Sequence, residues 1–471
     1  MPDAVVVGSG PNGLAAAIAI AEAGRSVRVY EGAATPGGGM RTQELTLPGF
    51  RHDVCSAIHP LLLASPFFRR LPLAAHGLQV VQPDAPYAHP LDDGSAVVVE
   101  RSVEATASEL GSQGAGWRKV FGPLTRDAHV LASELLGPFR PPRHPFKMAR
   151  FGLQAIRSAR AFARSRLDGE RAQAAFAGVA AHSMLRLDEP VTAGVGLMLG
   201  TFAHAVGWPM VAGGSEKIGE AMISYLRSLG GEIECGRWVR SIDELPDARA
   251  YLFDVTPRQL VSIAGDRLPD RYRRALLRYR YGPGVFKVDW ALDEPIPWKA
   301  NGCHRAATVH LGGTLDEIAR SESEVVAGRV PERPYTLVVQ QTLFDPSRAP
   351  AGKHTAWAYC HVPHGSDVDM TDAIESQIER FAPGFRDVVA ARSTMDSRAM
   401  EQHNPNYIGG DINGGVQDLR QHFARPLPRW TPYATPDPSI YLCSSSTPPG
   451  GGVHGMCGHH AAQAALRRSL R

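Results

Sequence analysis

No C-x-x-C pair occurs in this 471-residue sequence. Its six cysteines, Cys55, Cys235, Cys303, Cys360, Cys443 and Cys457, are scattered along the chain. That argues against a zinc ribbon or a thioredoxin motif and reads as reduced thiols in a cytoplasmic protein. Charge of one sign is also missing: 50 Lys and Arg stand against 47 Asp and Glu, a formal net charge of +3. Nucleic-acid binders usually carry a strong basic excess, so no nucleic-acid partner is expected. No segment approaches the roughly 18 uninterrupted apolar residues of a membrane-spanning helix. The N-terminus has neither a basic n-region nor a separate apolar h-region. No spacing of His, Cys and carboxylates suggests a metal site. At about 150 residues per domain, the length allows two to four domains or lobes.

What is present begins at the N-terminus. Ala4-Val5-Val6-Val7 is a short β-branched run of the kind found in buried parallel strands. Gly8-Ser9-Gly10-Pro11-Asn12-Gly13 follows, then the Ala-rich helical stretch Leu14 to Ala23, closed by Gly24. A second strand, Ser26 to Tyr30, ends at Glu31. This is G-x-G-x-x-G in a strand–turn–helix–strand context. Gly8 permits the tight turn, Gly10 lets the backbone approach a pyrophosphate, and Gly13 allows close packing of helix and strand. The helix N-terminus offers free N–H groups to phosphates, and Glu31 can accept hydrogen bonds from ribose hydroxyls. The segment therefore reads as a dinucleotide site.

A second glycine cluster, Gly37-Gly38-Gly39-Met40-Arg41, follows soon after Glu31. It points to an FAD enzyme, in which backbone passes close to the cofactor and a cation lies near phosphate. No second nucleotide fingerprint appears. Gly111 to Gly116 has the wrong spacing and reads as a loop, so there is one Rossmann unit and no separate nicotinamide site. Helix-plus-strand units recur at Ile218 to Cys235, with Gly236 to Ile242 continuing the strand, and at Tyr251 to Val255. A last unit runs from the strand Ile440 to Cys443 through Ser444 to Gly455 into a C-terminal helix from about Met456.

These segments carry a resemblance. Gly8 to Arg41, Pro48 to Asp53, the helix after Gly213-Gly214, Tyr279 to Trp290 and the stretch Pro449 to Met456 are similar to the phytoene-desaturase-related FAD oxidoreductases. Within that group they resemble the pyridine-nucleotide-disulfide-oxidoreductase-domain branch rather than the carotenoid desaturases. The resemblance implies an α/β fold in which a Rossmann-type FAD-binding domain is interleaved with a mixed-sheet and helical substrate domain. It assigns residues 1–75, 206–275 and 416–471 to the first and 76–205 and 276–415 to the second. It also implies that Gly8, Gly10, Gly13 and Glu31, with Pro11 and Asn12 between them, hold the ADP part of FAD. Gly38 and Arg41, with Gly39 and Met40, would lie along the pyrophosphate. The Val239 backbone would meet adenine, and Gly452, Val453 and His454 would sit under the flavin pyrimidine. The sequence departs from many relatives at Ser444-Ser445-Ser446, where an acid is usual.

The activity implied is desaturation or dehydrogenation of a largely apolar small molecule, with electrons passing to oxygen, a quinone or another acceptor. A redox-neutral isomerase or cyclase, or a non-catalytic flavin-containing interaction protein, would carry the same motifs. Chemistry of this kind belongs mainly to the cofactor, so few acids and bases are expected. Asp411, in the glycine-rich segment 404–415, is a candidate general base or substrate-holding group; a turn-forming aspartate is the plainer alternative. His59 is a candidate proton shuttle against a structural histidine, and His454 a candidate flavin contact. From Phe146 to Arg166, basic residues (Lys147, Arg150, Arg157, Arg164) and apolar ones (Phe146, Ala149, Leu153, Ile156, Ala163) form separate stripes. The expectation is a single basic amphipathic helix suited to peripheral contact with an anionic membrane or to service as a cavity lid, or simply a solvated helix face.

Overall fold

A computed structural model describes residues 1–471. Two large sheets organise it. The first is five-stranded and wholly parallel, in the spatial order Ile440–Leu442, Ala250–Phe253, Ala4–Val7, Val27–Tyr30, Glu232–Glu234. Its strands come from three separated stretches of chain. Ala4–Val7 is central, pairs Ala4 with both Ala250 and Val27, and is buried along its length, which is why it reads as an unbroken apolar run. The chain leaves this strand toward Val27–Tyr30 on one side, while Ala250–Phe253 lies on the other. That makes the carboxyl end of Ala4–Val7 a topological switch point, where doubly wound sheets bind ligands.

The second sheet is seven-stranded and mixed. Its order is Val389–Met395, Gly284–Leu292, His354–Val362, Thr336–Val339, Ala306–Leu311, Ala85–Pro90, Ala96–Val99. Only the Ala306–Leu311 and Ala85–Pro90 pair is parallel. Helices Gly169–Ala180 and Thr192–Val206 pack against each other beside this sheet. The fold is therefore α/β, a Rossmann-type unit joined to a mixed-sheet and helical second unit.

Three local expectations are corrected. Gly111–Gln113 forms a 3-10 turn that runs into the helix Gly114–Arg126, rather than a loop. The strand Glu232–Glu234 does not continue to Ile242. Instead the chain turns, and Gly236 and Arg237 donate their N–H groups to the carbonyls of Ala33 and Glu31. The stretch 146–166 is not one helix but two, Pro145–Ala155 and Ala159–Arg166. The break comes at Ser158, whose hydroxyl caps the second helix by accepting the Ala161 N–H. On the first helix Phe146, Ala149, Leu153 and Ile156 face outward and Phe151 faces the core. The bases are partly held by the protein itself: Lys147 pairs with Asp127 at 2.8 Å, and Arg164 with Asp316 at 2.8 Å. No helix is long and apolar enough to cross a membrane.

Candidate cofactor and substrate cavity

A cavity of about 870 Å³ opens at the switch point and runs between the two sheets. At one end it is lined by Gly8, Ser9, Gly10, Pro11 and Asn12, then by Glu31, Gly38, Gly39, Arg41 and Val239. Farther along it meets Gly451, Gly452 and Val453. The glycine turn is close-fitted. Gly8 has φ +98°, and a Cβ at Gly10 would lie 2.7 Å from Asp254 Oδ2. Gly10 also caps the helix Pro11–Glu22 with no side-chain partner, leaving that N-terminus open to an anion.

Two buried polar atoms along this wall have no partner: Asn12 Oδ1 and Arg41 Nε. Arg41 otherwise donates to the His403 carbonyl at 3.3 Å and lies 3.7 Å from Glu31 Oε1. An unsatisfied buried guanidinium nitrogen is costly without a ligand, and a phosphate oxygen is the acceptor such a group suits. Glu31 is less free than its sequence position suggests. Oε2 accepts both the Ser9 N–H (2.9 Å) and the Ser9 hydroxyl (2.6 Å), and Oε1 accepts the Ala33 N–H (2.8 Å). Oε2 is thus filled by Ser9, and Oε1 keeps one lone pair for a ribose hydroxyl.

The other candidates divide. Gly13 is off the cavity wall; its N–H is donated to Asp254 Oδ2. Met40 points into the hydrophobic core rather than toward a cofactor. His454 is also off the wall. Its Nδ1 accepts the Met456 N–H at 3.0 Å, so its Nε2–H is donated to the Gly450 carbonyl at 3.2 Å. The ring staples the glycine turn to the start of the helix Met456–Arg468, and burial lowers its pKa to about 4. Asp411 is likewise consumed by backbone: its oxygens accept the N–H groups of Gly282 (2.7 Å) and Asn413 (2.8 Å). It does not face the cavity, and the turn-forming reading is the one its geometry fits. His59 does reach the wall, but Ser215 donates its hydroxyl to the Ser56 carbonyl and so accepts from His59 Nε2 at 2.9 Å. The remaining Nδ1 is buried and bare, and burial holds the ring neutral with a pKa of about 4. The Nε2 side of the ring is thus spent on a structural hydrogen bond to Ser215.

Several residues were not singled out from the sequence. Asp254, one residue past the strand Ala250–Phe253, lies directly under the glycine turn, and burial raises its pKa to about 7. Its place at the carboxyl end of a strand beside Ala4–Val7 was the available signal. The second sheet contributes Thr308, Leu337, Val339, Trp357 and Tyr359 to the far wall, and the rings of Trp357 and Tyr359 stack at 5.8 Å. Behind them the buried Lys287 lies 5.2 Å over the Trp357 ring and pairs with Asp289, while Arg348 pairs with Asp53 at 2.8 Å. These buried ions face each other rather than the cavity.

Comparison with known proteins agrees with this architecture. A protein family described as an NAD(P)-binding Rossmann-like domain matches residues 6–71. The pyridine nucleotide-disulfide oxidoreductase domain-containing protein 2 of Mus musculus is 25% identical over 99% of this chain and 93% of its own. The chain is similar to that protein over nearly its full length. A limonene dehydrogenase subunit of Castellaniella defragrans is 35% identical over 108 residues, 23% of this chain and 19% of its own. Among solved structures, an oxidoreductase from Methanosarcina mazei matches with a TM-score of 0.68 at 16% identity, covering 99% of this chain and 100% of that one. A double mutant of putrescine oxidase matches with a TM-score of 0.62 at 17% identity, covering 99% of both chains. The fold is amine-oxidase-like.

Proposed function

We propose that this chain is an FAD-dependent oxidoreductase that desaturates or dehydrogenates an uncharged, largely apolar small molecule. One observation carries the reading. The charged residues on the cavity wall are Glu31, Arg41, Arg237, Arg240 and Asp254, and all follow strands of the five-stranded sheet. The wall built by the second sheet and its helices has none; it presents Leu337, Val339, Met198, Leu199 and Trp357. A protonated amine such as putrescine would meet no carboxylate there, and an apolar molecule would bury its surface favourably. The short match to a limonene dehydrogenase subunit supports the same substrate class.

The residues present suit FAD. Gly8 to Asn12 and the helix N-terminus behind them would take the pyrophosphate, with Arg41 adding a cation. Glu31 would hold the ribose, and Val239 would flank adenine. Gly451 to Val453 would lie beside the ring, next to the turn that leads into the helix Met456–Arg468. Bound there, FAD would supply hydride acceptance. The chain itself orients the substrate and excludes water, with Trp357 and Tyr359 forming one side of the slot. Electrons would then leave to oxygen, a quinone or another acceptor. Reconstitution tests the reading: the purified protein should take up FAD and colour yellow, and a product should lack two hydrogens. Failure to take up FAD sinks it, and a product of unchanged mass replaces it with an isomerase or cyclase.

We also propose peripheral contact with an anionic bilayer through the helix Pro145–Ala155. The outward stripe of Phe146, Ala149 and Leu153, continued by Ile156 at the cap, supports it, beside Lys147 and Arg150, two bases that share the one carboxylate of Asp127.

A further inference from the structure

At the apolar end of the cavity two hydrogen-bond donors are left unspent. His182 and His310 approach Nε2 to Nε2 at 3.0 Å. Burial holds both rings neutral. An N···N hydrogen bond between neutral imidazoles needs one protonated nitrogen and one bare one. His310 is fully buried and its Nδ1 has no partner. A buried N–H without an acceptor is rarer and costlier than a buried lone pair without a donor. His310 therefore carries its proton on Nε2 and donates it to His182. His182 must then carry its own proton on Nδ1. His182 is the half-buried member of the pair and lines the cavity, and His310 is its one hydrogen-bond partner.

The neighbouring wall repeats the pattern. Trp208 Nε1 donates to Thr308 Oγ1 at 3.1 Å. With that hydroxyl accepting from the indole, its own proton is free for the cavity, which Thr308 also lines. The Trp208 ring meets the His182 ring edge-on at 6.4 Å, so both donors belong to one patch. Leu337, Val339 and Met198 make the surrounding wall apolar.

We propose that His182 and Thr308 form an oxygen-binding subsite, which holds a carbonyl or hydroxyl oxygen on an otherwise apolar substrate. This rests on the small-molecule reading above and narrows it. The substrate class becomes a hydrocarbon skeleton with an oxygen acceptor, not a bare hydrocarbon. His182 and Thr308 would set specificity, and His310 would act as a positioning residue that fixes the His182 tautomer.

A matched pair of ligands tests this on the FAD-loaded protein. Limonene and its ketone carvone share a skeleton and differ by one carbonyl. Binding is read by quenching of tryptophan fluorescence, since Trp208 and Trp357 line the cavity. The expected result is about tenfold or more tighter binding of carvone, the scale of one well-placed hydrogen bond. His182→Phe and Thr308→Val should each remove most of that preference, read as the ratio of carvone to limonene affinity within each variant. His182→Asn, which keeps a donor, should restore part of it. Equal affinities in the unaltered protein, no saturable carvone binding, or a preference that survives both His182→Phe and Thr308→Val would overturn the proposal. If His182→Phe fails to fold, the near-isosteric Thr308→Val carries the test. Should the oxidoreductase reading itself fail, no ligand would bleach the bound flavin, yet the carvone preference would still be read by fluorescence.

Discussion

Asp254 Oδ2 accepts the Gly13 N–H at 2.9 Å, across 241 positions of sequence. A carboxyl group thus holds the glycine turn from below, at the place where a dinucleotide's phosphates would come down from above. Burial is the main reason its pKa rises to about 7, and Glu31 adds to the rise.

A pH dependence follows from that pKa. A carboxyl whose folded-state pKa is raised contributes stability that is fully present below its unfolded pKa, near 3.8, and is lost as pH rises through about 7. Melting of the cofactor-free protein should therefore fall over this window. FAD affinity should fall as well, because ionised Asp254 repels phosphate. Asp254→Asn keeps an acceptor for Gly13 and should flatten both profiles. An unchanged pH dependence in that variant would count against the assignment.

Gly10→Ala should weaken FAD retention. The added Cβ would lie 2.7 Å from Asp254 Oδ2, and that oxygen is not free to move because it holds Gly13. Overpacking of this kind costs about 1–3 kcal/mol. The check is flavin content after gel filtration, and full occupancy would contradict the close fit.

His454→Ala should destabilise the fold by about 1–3 kcal/mol, because it leaves the Met456 N–H and the Gly450 carbonyl without their buried partner. The pH profile of flavin reduction should not change. A lost titration in that profile would instead make His454 a participant in the chemistry.

Asp411→Ala should lower the melting temperature in the same way, since Gly282 and Asn413 both lose their acceptor. Ligand affinity measured below the melting transition should be retained. Selective loss of turnover with unchanged melting would reverse the structural assignment.

Sedimentation with anionic vesicles should carry down part of the protein at low salt and less at high salt. Phe146→Glu with Leu153→Glu should abolish the effect, because both side chains are exposed at 90% and 75%. Equal recovery with and without vesicles would remove the membrane proposal.

Much of the nucleotide end was legible locally. A four-residue apolar run, a glycine turn and an Ala-rich helix lie within the first two dozen residues, and their chemistry depends on neighbours along the chain. The cysteine, charge and hydropathy patterns likewise restrict the class of protein without reference to the fold. Side-chain roles at the far end were not legible. Asp411 and His454 look like catalytic groups among glycines, yet backbone groups take up their hydrogen-bonding capacity, one of them the Gly282 N–H 129 positions from Asp411. The stripe from 146 to 166 looks continuous until Ser158 caps a new helix. His182 and His310 carry no motif, and their pairing spans 128 positions. The sequence by itself determined where the backbone turns tightly between strand and helix, because that follows from φ freedom and strand-to-helix connection. Which polar groups remain free to act was decided only by tertiary structure, because a hydrogen bond is spent or available according to partners that folding brings from elsewhere in the chain.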